Sequence, residues 1–289
     1  MNQQIDDDAG LEDDSAPRVR PERTGPATAE IISVGRELLN GRVADTNAGT
    51  LARLLTRRGA TVKRATIVGH EEDAIASAIR ETLSRNRHLV VISGGLGPAA
   101  EDRTIHALSV ALRLPLEVNR HARSMVEEAY QRLRKKRVLH KGGLTASREK
   151  MCTIPVGATP VENGVGIAPG VICRLAGGTT VFCLPGLPGE AEAVFEAAAP
   201  DLKLTSWGKH VAVREIEAPT ADESSLVPML DQLSEEFPGV AVHSRPGNPA
   251  IPGQKAMISL EAGGSTAQEA NTTVDGVVRR LLALAAGSP

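Results

Sequence analysis

Residues 94–98 read Gly-Gly-Leu-Gly-Pro, and Glu101, Asp102 and Thr104 follow closely behind them. Glycines permit positive φ and let backbone N–H groups come close to a ligand, so such a turn can hold a phosphate without any charged side chain. Carboxylates beside a phosphate repel it unless a cation lies between them, so phosphate and a Mg²⁺-like metal are expected as a pair. In this scheme the amides of Gly95 and Gly97 hold the phosphate, and Asp102, together with Glu101, holds the metal that polarises the phosphoryl oxygen and lowers the pKa of bound water. Glu37 is the candidate for orienting that water. The competing account is structural: a tight strand-to-helix turn also uses glycines, and acidic residues suit the first turn of any helix because of its dipole.

The elements that must position this turn follow from periodicity. Apolar, strand-like runs at 29–34, 61–68 and 88–93 alternate with helical patterns at 45–58, 71–84 and 102–114. The first helix places Leu51, Leu54 and Leu55 on one stripe, with Asp45 or Thr46 as N-cap and Gly59 just past the end. Alternation of this kind predicts a parallel sheet covered on both faces, with ligands beyond the carboxyl ends of the strands. Residues 94–102 occupy one such end. The loop leaving the first strand carries Gly35, Glu37, Asn40, Asp45, Thr46 and Asn47 towards the same edge. The loop after the second strand carries His70, a loop or cap residue, or alternatively a base or ligand. Two more glycine- and proline-rich loops lie at 163–170, with Asn163 and Gly166, and at 184–190, with Pro185, Gly186 and Glu190. Glu190 also suits a helix start on dipole grounds alone.

Further along, a helix over 122–137 aligns Met125, Val126, Ala129 and Leu133 and ends in a basic cluster from Arg132 to Arg137. The cluster is a solvated helix C-terminus or a phosphate clamp. Strands at 171–175 and 180–184 and a helix at 190–199 complete a unit spanning 29–203. A small βαββα unit over 204–289 follows, with strands at 210–216, 240–243 and 255–260, helices at 222–236 and 266–286, and a hairpin loop at 245–253. Residues 1–28, acidic and then rich in proline and arginine, are expected to form a disordered tail.

Composition narrows the function. A net charge of -2 over 289 residues gives no field to recruit nucleic acid or an anionic membrane, and five aromatic side chains offer no base-stacking platform. No apolar stretch reaches the roughly 18–20 residues of a membrane span, and the N-terminus lacks the order of a signal peptide. Cys152, Cys173 and Cys183 are an odd number without CxxC spacing, which fits buried free thiols in a reducing compartment. A cytoplasmic protein with a small phosphorylated ligand, and no nucleic-acid or membrane partner, is expected.

Several motifs in order then carry a resemblance. Ser33-Val34-Gly35, Glu37, Gly41 and Asp45-Thr46-Asn47 come first, followed by Gly94 to Pro98 with Asp102 and Thr104. Asn163, Gly166, Ala168-Pro169-Gly170, then Leu184 to Pro188 and Glu190 complete the series. Together they resemble the N-terminal domain of the competence/damage-inducible protein A family, which is similar to the molybdopterin-binding domain of molybdenum-cofactor biosynthesis enzymes. Residues 222–226 resemble that family's small second domain. The resemblance implies a three-layer αβα fold with a mostly parallel sheet, often assembled as a homodimer. It implies a ligand site at Gly35, Asn47, Gly94, Gly95, Gly97, Pro98 and Thr104, closed by Asn163, Gly166, Pro185, Gly186 and Glu190. It implies Mg²⁺- or Co²⁺-dependent pyrophosphatase activity on ADP-ribose in some members, and molybdopterin as the ligand of the cofactor-biosynthesis relatives. A C-terminal domain that deamidates nicotinamide mononucleotide, present in many members, has no room in 289 residues and is not expected.

The chain departs from the family pattern at four positions: Ala99 for threonine, Glu101 for aspartate, His70 for aspartate and Ile167 for threonine. These changes remove hydroxyls and one carboxylate, and a lost transition-state contact costs on the order of 10²-fold in rate. The expected function is nucleotide or pyrophosphate binding with metal-dependent hydrolysis. The alternatives are a molybdopterin-binding module without turnover and a dimeric interaction scaffold.

Overall fold

The computed structural model describes residues 27–137, 144–202, 210–248, 250–251 and 253–287. Of the tail expected over 1–28, residues 1–26 lie outside the described residues, as does the division expected at 203/204; Ala27 is buried and accepts from the Thr61 N–H at 2.7 Å, and Thr28 opens the first strand, so the ordered unit starts two residues earlier than expected.

The first six-stranded sheet has the order β2-β1-β3-β8-β7-β6. Its strands are β1 (Thr28–Val34), β2 (Thr61–Val68), β3 (Leu89–Ser93), β6 (Thr159–Val161), β7 (Gly170–Arg174) and β8 (Thr180–Leu184). The four at one side run parallel, and β8-β7-β6 continue antiparallel. All five residues of β3 are buried, as a central parallel strand covered on both faces demands. Successive side chains divide between the faces. Ile32, Val90 and Ile92 pack with α3 (Glu72–Ser84), α4 (Thr104–Leu112) and α5 (Arg120–Lys135), while Ile31, Leu89 and Val91 pack with α2 (Thr46–Arg57) and α7 (Pro188–Ala198). The result is the three-layer αβα architecture that the alternation implied.

Several boundaries differ from the sequence expectation. The helix expected from 102 begins at Thr104, because the backbone of Asp102 is committed to a turn, its N–H donating to Ala99 O at 3.1 Å. It stops at Arg113, which adopts a left-handed conformation with φ 55°. The helix expected from 190 starts at Pro188, a residue suited to a first helical position because it has no N–H to satisfy. Three short strands were not expected: β4 (Leu116–Val118) pairs with β5 (Thr153–Pro155), and β6 joins the main sheet. At three residues each they show no alternation to read.

The remaining residues form a second core, with sheet order β10-β11-β9 from β9 (His210–Glu217), β10 (Val240–Arg245) and β11 (Met257–Gly264). α8 (Val227–Glu236) and α9 (Ala267–Gly287) cover it. The helix expected from 222 is split. Pro228 confines the α-helix to starting just ahead of it, and residues 223–225 make a separate 3₁₀ turn whose Ser224 amide donates to Asp222 Oδ1 at 3.0 Å.

All three cysteines are free and buried. Burial pushes the Cys152 thiol up to about 11 and Cys173 up to about 12, and raises Cys183 well above the ordinary thiol value. Since the thiolate is the reactive form, a thiol-modifying reagent at pH 8 should label none of them in the native protein and all three in denaturant. Rapid labelling of the folded chain, counted by intact-mass measurement, would contradict this burial. Among the described residues no helix is long and apolar enough to cross a membrane.

Candidate functional site

Because β1, β2, β3 and β8 run parallel, the loops leaving them open on one edge of the sheet. Strand order reverses there between β1 and β3, the place where open α/β sheets form a crevice. A cavity of about 630 Å³ lies at this edge.

The glycine turn forms its centre. Gly94 and Gly95 have φ of 106° and 70°, the left-handed region that side chains disfavour. Gly94 N–H donates to Leu184 O at 3.0 Å, so that amide is spent on the fold. The amides of Gly95, Leu96 and Gly97 donate to no acceptor among the described residues, and all three residues line the cavity. Thr104 supports the turn from within. It is fully buried, its hydroxyl donates to Gly94 O at 2.7 Å, and its N–H donates to Gly95 O at 3.2 Å.

Asp102 is half-buried and lines the cavity, with one carboxylate oxygen accepting from the Ala99 amide at 2.9 Å. Glu101 is exposed on the same wall. Lys150, whose ammonium donates to Ala99 O, borders a smaller 120 Å³ cavity on the other side of the turn, shared with Asp102. Burial holds the Lys150 pKa below its ordinary value, with the attraction of Asp102 opposing and Arg103 adding to the shift.

The neighbouring loops complete the walls. Asp45 caps α2 by accepting from Ala48 N at 3.0 Å, which fixes Asn47 in the first turn. Asn47 Nδ2 donates to Ser93 Oγ at 2.7 Å and to Gly186 O at 2.8 Å, tying β1's loop to the ends of β3 and β8. His70 Nε2 lies 3.4 Å from Glu37 Oε2, joining the loops after β1 and β2. Pro98, Pro185, Gly186 and Glu190 also line the cavity.

Four expected ligand residues do not line it. Thr104 is consumed by the turn, as above. Asn163 folds its own loop, accepting from Gly166 N at 2.7 Å and donating to Ala168 O at 3.0 Å and Glu190 Oε2 at 2.6 Å, so it orients Glu190 rather than the ligand. Gly166 lies beneath Glu190, close enough that a Cβ would meet the carboxylate. Gly35 donates its N–H to Val68 O at 2.9 Å and so extends the β1–β2 pairing. The basic cluster is also resolved in part: Arg132 donates to Asn163 O and Gly166 O at 3.1 and 3.2 Å, bracing a loop instead of clamping a phosphate.

Sequence reasoning missed Tyr130 and Met151 on the cavity wall. Tyr130 stands four residues after Val126 and so belongs to the buried stripe of α5, and the Arg148 guanidinium stacks 3.8 Å from its ring centroid. That spacing was the available signal.

Residues 30–204 match the family described as probable molybdopterin binding domain. The chain belongs to that family. A family relative from Caldivirga maquilingensis is 38% identical over 261 residues, 89% of this chain and 96% of its own. One from Pyrococcus furiosus is 38% identical over 218 residues, 75% of this chain and 84% of its own. Among solved structures, the protein CinA of unknown function from Thermoplasma acidophilum superposes with a TM-score of 0.54 at 38% identity, covering 61% of this chain and 98% of that one. The family's molybdopterin-binding-like domain is therefore the six-stranded unit that carries the cavity.

Proposed function

We propose that the cavity binds a small phosphorylated compound, molybdopterin or a nucleotide diphosphate, with its phosphate on the amides of Gly95, Leu96 and Gly97. The supporting observation is that these three N–H groups, in residues lining the cavity, have no acceptor among the described residues. Amide donors left open in this way suit an anion. The family's description favours molybdopterin, and the cavity's volume of about 630 Å³ accommodates a ligand of either class.

A second step, hydrolysis of a pyrophosphate such as ADP-ribose, is favoured by Asp102. Its second carboxylate oxygen has no partner among the described residues, and Glu101 stands on the same wall. Mg²⁺ is typically held by one or two carboxylates together with substrate phosphates and water, so this pair fits a cation that arrives with the ligand. No group of three His, Cys, Asp or Glu side chains poised for a metal occurs among the described residues, so the ligand's phosphates must complete the shell. When bound, the cation supplies charge neutralisation and polarises the phosphoryl oxygen. The chain itself holds the phosphate on the turn, and Glu37 is the carboxylate available to orient water.

Two measurements test these steps separately. Calorimetric titration should detect binding of pyrophosphate with Mg²⁺, and of molybdopterin; absence of heat with both would leave only a scaffold role. With ADP-ribose and Mg²⁺ or Co²⁺, the wild type should release AMP, and Asp102→Asn should do so about 10²-fold more slowly. Asparagine keeps an acceptor for the Ala99 amide, so the turn survives the exchange. Equal rates for wild type and variant would eliminate the hydrolytic step.

A further inference from the structure

The wall of the cavity is acidic. Glu37, Asp45, Glu101, Asp102 and Glu190 line it, and no lysine or arginine among the described residues does. Cations of the surrounding loops are spent elsewhere: Arg36 pairs with Glu71 at 2.6 Å, Lys150 donates to Ala99 O behind the glycine turn, and Arg132 donates to the carbonyls of Asn163 and Gly166. The turn amides can hold a phosphate once it has arrived, but an approaching polyanion meets a field of its own sign.

Compensating charge stands at the end of α5. Tyr130 brings that helix to the cavity wall, and Arg132 fixes it to the loop whose Asn163 holds Glu190. Arg134, Lys135 and Lys136 come next, roughly 6–9 Å beyond Tyr130 at the rise of an α-helix. All three are exposed and make no ion pair among the described residues, whereas Arg123 on the same helix is held by Glu127 and Glu149. Lysine and arginine suit any helix C-terminus, so the run of charge means little by itself. Its place beside an acidic mouth gives it meaning, because unpaired charges act over about 10 Å at 0.1 M salt, a reach comparable with that separation.

We infer that Arg134, Lys135 and Lys136 form a basic rim that draws the anionic ligand, bare or carrying its cation, to the cavity mouth by long-range attraction and without touching it. The inference rests on the phosphate-binding function proposed above and adds how an acidic cavity comes to accept an anion. A neutral ligand gains nothing from the rim.

Calorimetric titration with pyrophosphate and Mg²⁺ at two salt concentrations tests it. The variant Arg134→Gln/Lys135→Gln/Lys136→Gln should bind about 5- to 10-fold more weakly than the wild type in ~20 mM NaCl, where the Debye length is roughly 20 Å. In ~0.5 M NaCl, where that length is roughly 4 Å, the two should agree within about 2-fold. Glutamine is as good a helix former as the residues it replaces, so the melting temperature should stay near that of the wild type. The control Arg57→Gln/Lys63→Gln/Arg80→Gln removes three exposed charges from the far halves of α2 and α3 and the start of β2, and should stay within about 2-fold of the wild type at both salt concentrations. Equal affinity of the rim variant and the wild type at low salt refutes the rim and leaves the phosphate site standing. A deficit undiminished at high salt also refutes it, since that marks direct contact, and so does an equal loss in the control, which marks net charge alone. A wild type that binds no pyrophosphate at either salt concentration removes the phosphate site and the rim with it.

Discussion

Gly94→Ala is expected to lower the melting temperature by about 10 °C and to abolish pyrophosphate binding. Gly94 has φ 106°, and a Cβ built there would lie 2.3 Å from the carbonyl oxygen of Val34. That oxygen is backbone at the end of β1, so no rotamer change relieves the overlap. The residue cannot retreat either: its N–H is bonded to Leu184 O, its carbonyl accepts from the Thr104 hydroxyl, and Gly186 packs against its Cα. Left-handed backbone costs a non-glycine residue about 1–2 kcal/mol, and overpacking adds about 1–3. Their sum, roughly 2–5 kcal/mol, converts at about 2–4 °C per kcal/mol for a domain of this size. The strain falls on the turn whose next three amides are proposed to hold phosphate, so binding is lost together with stability. Gly189→Ala is the control. Gly189 sits in the first turn of α7 with nothing near its Cβ, so alanine should be neutral or stabilising there. A Gly94→Ala protein that melted like the Gly189→Ala protein would show that the turn tolerates a side chain.

Much of this arrangement was legible in the sequence, and the limits have identifiable causes. The helices α2 and α3 emerged because their apolar spacing runs over two or more turns, with Asp45 and Gly59 punctuating α2, and β2 emerged because its β-branched residues favour a strand. The glycine turn was legible because a backbone requirement is written directly as residue type. What was not legible is the direction of a side chain that could serve either fold or ligand. Thr104 and Asn163 look like ligand residues in a polar loop, yet Thr104 bonds the backbone of its own turn and Asn163 bonds its own loop and the Glu190 carboxylate. Asn47 spends its nitrogen on Ser93 Oγ and the Gly186 carbonyl, tying together strand ends far apart in the chain, a role that no spacing rule can express. Tyr130 was hidden for the opposite reason: a helix-stripe residue reads as core, and a cavity wall built from the core has no separate signature.

Glu30 shows the same limit on the stability side, and its removal should produce the second large effect. The apolar run that became β1 was read through this residue as an ordinary strand, yet Glu30 is 1% exposed. Arg85 grips its carboxylate with Nη2 at 2.7 Å and Nε at 3.0 and 3.1 Å, and Arg87 adds Nε at 2.7 Å. Glu30→Ala should cost about 3 kcal/mol, the low end for breaking a buried ion pair, because the two guanidiniums remain close enough to solvent to rehydrate. Burial acts to raise the Glu30 pKa, but the hydrogen bonds and charges of Arg85 and Arg87 outweigh it and hold the carboxyl below its ordinary value. A folded-state pKa below the unfolded one means that the carboxylate's contribution is fully present above the ordinary carboxylate range and is lost as pH falls through the depressed value. The melting-temperature gap between wild type and Glu30→Gln should therefore be widest near neutral pH and close progressively below about pH 4. A gap that stayed constant on acidification would mean that charge contributes nothing and only shape is lost. Glu30 pairs in register with Val90, three positions before the Ser33 and Ser93 pair at the cavity end of the same strands. The bridge thus pins the edge of the sheet opposite the site, and pyrophosphate affinity at neutral pH should be the same in Glu30→Gln and wild type.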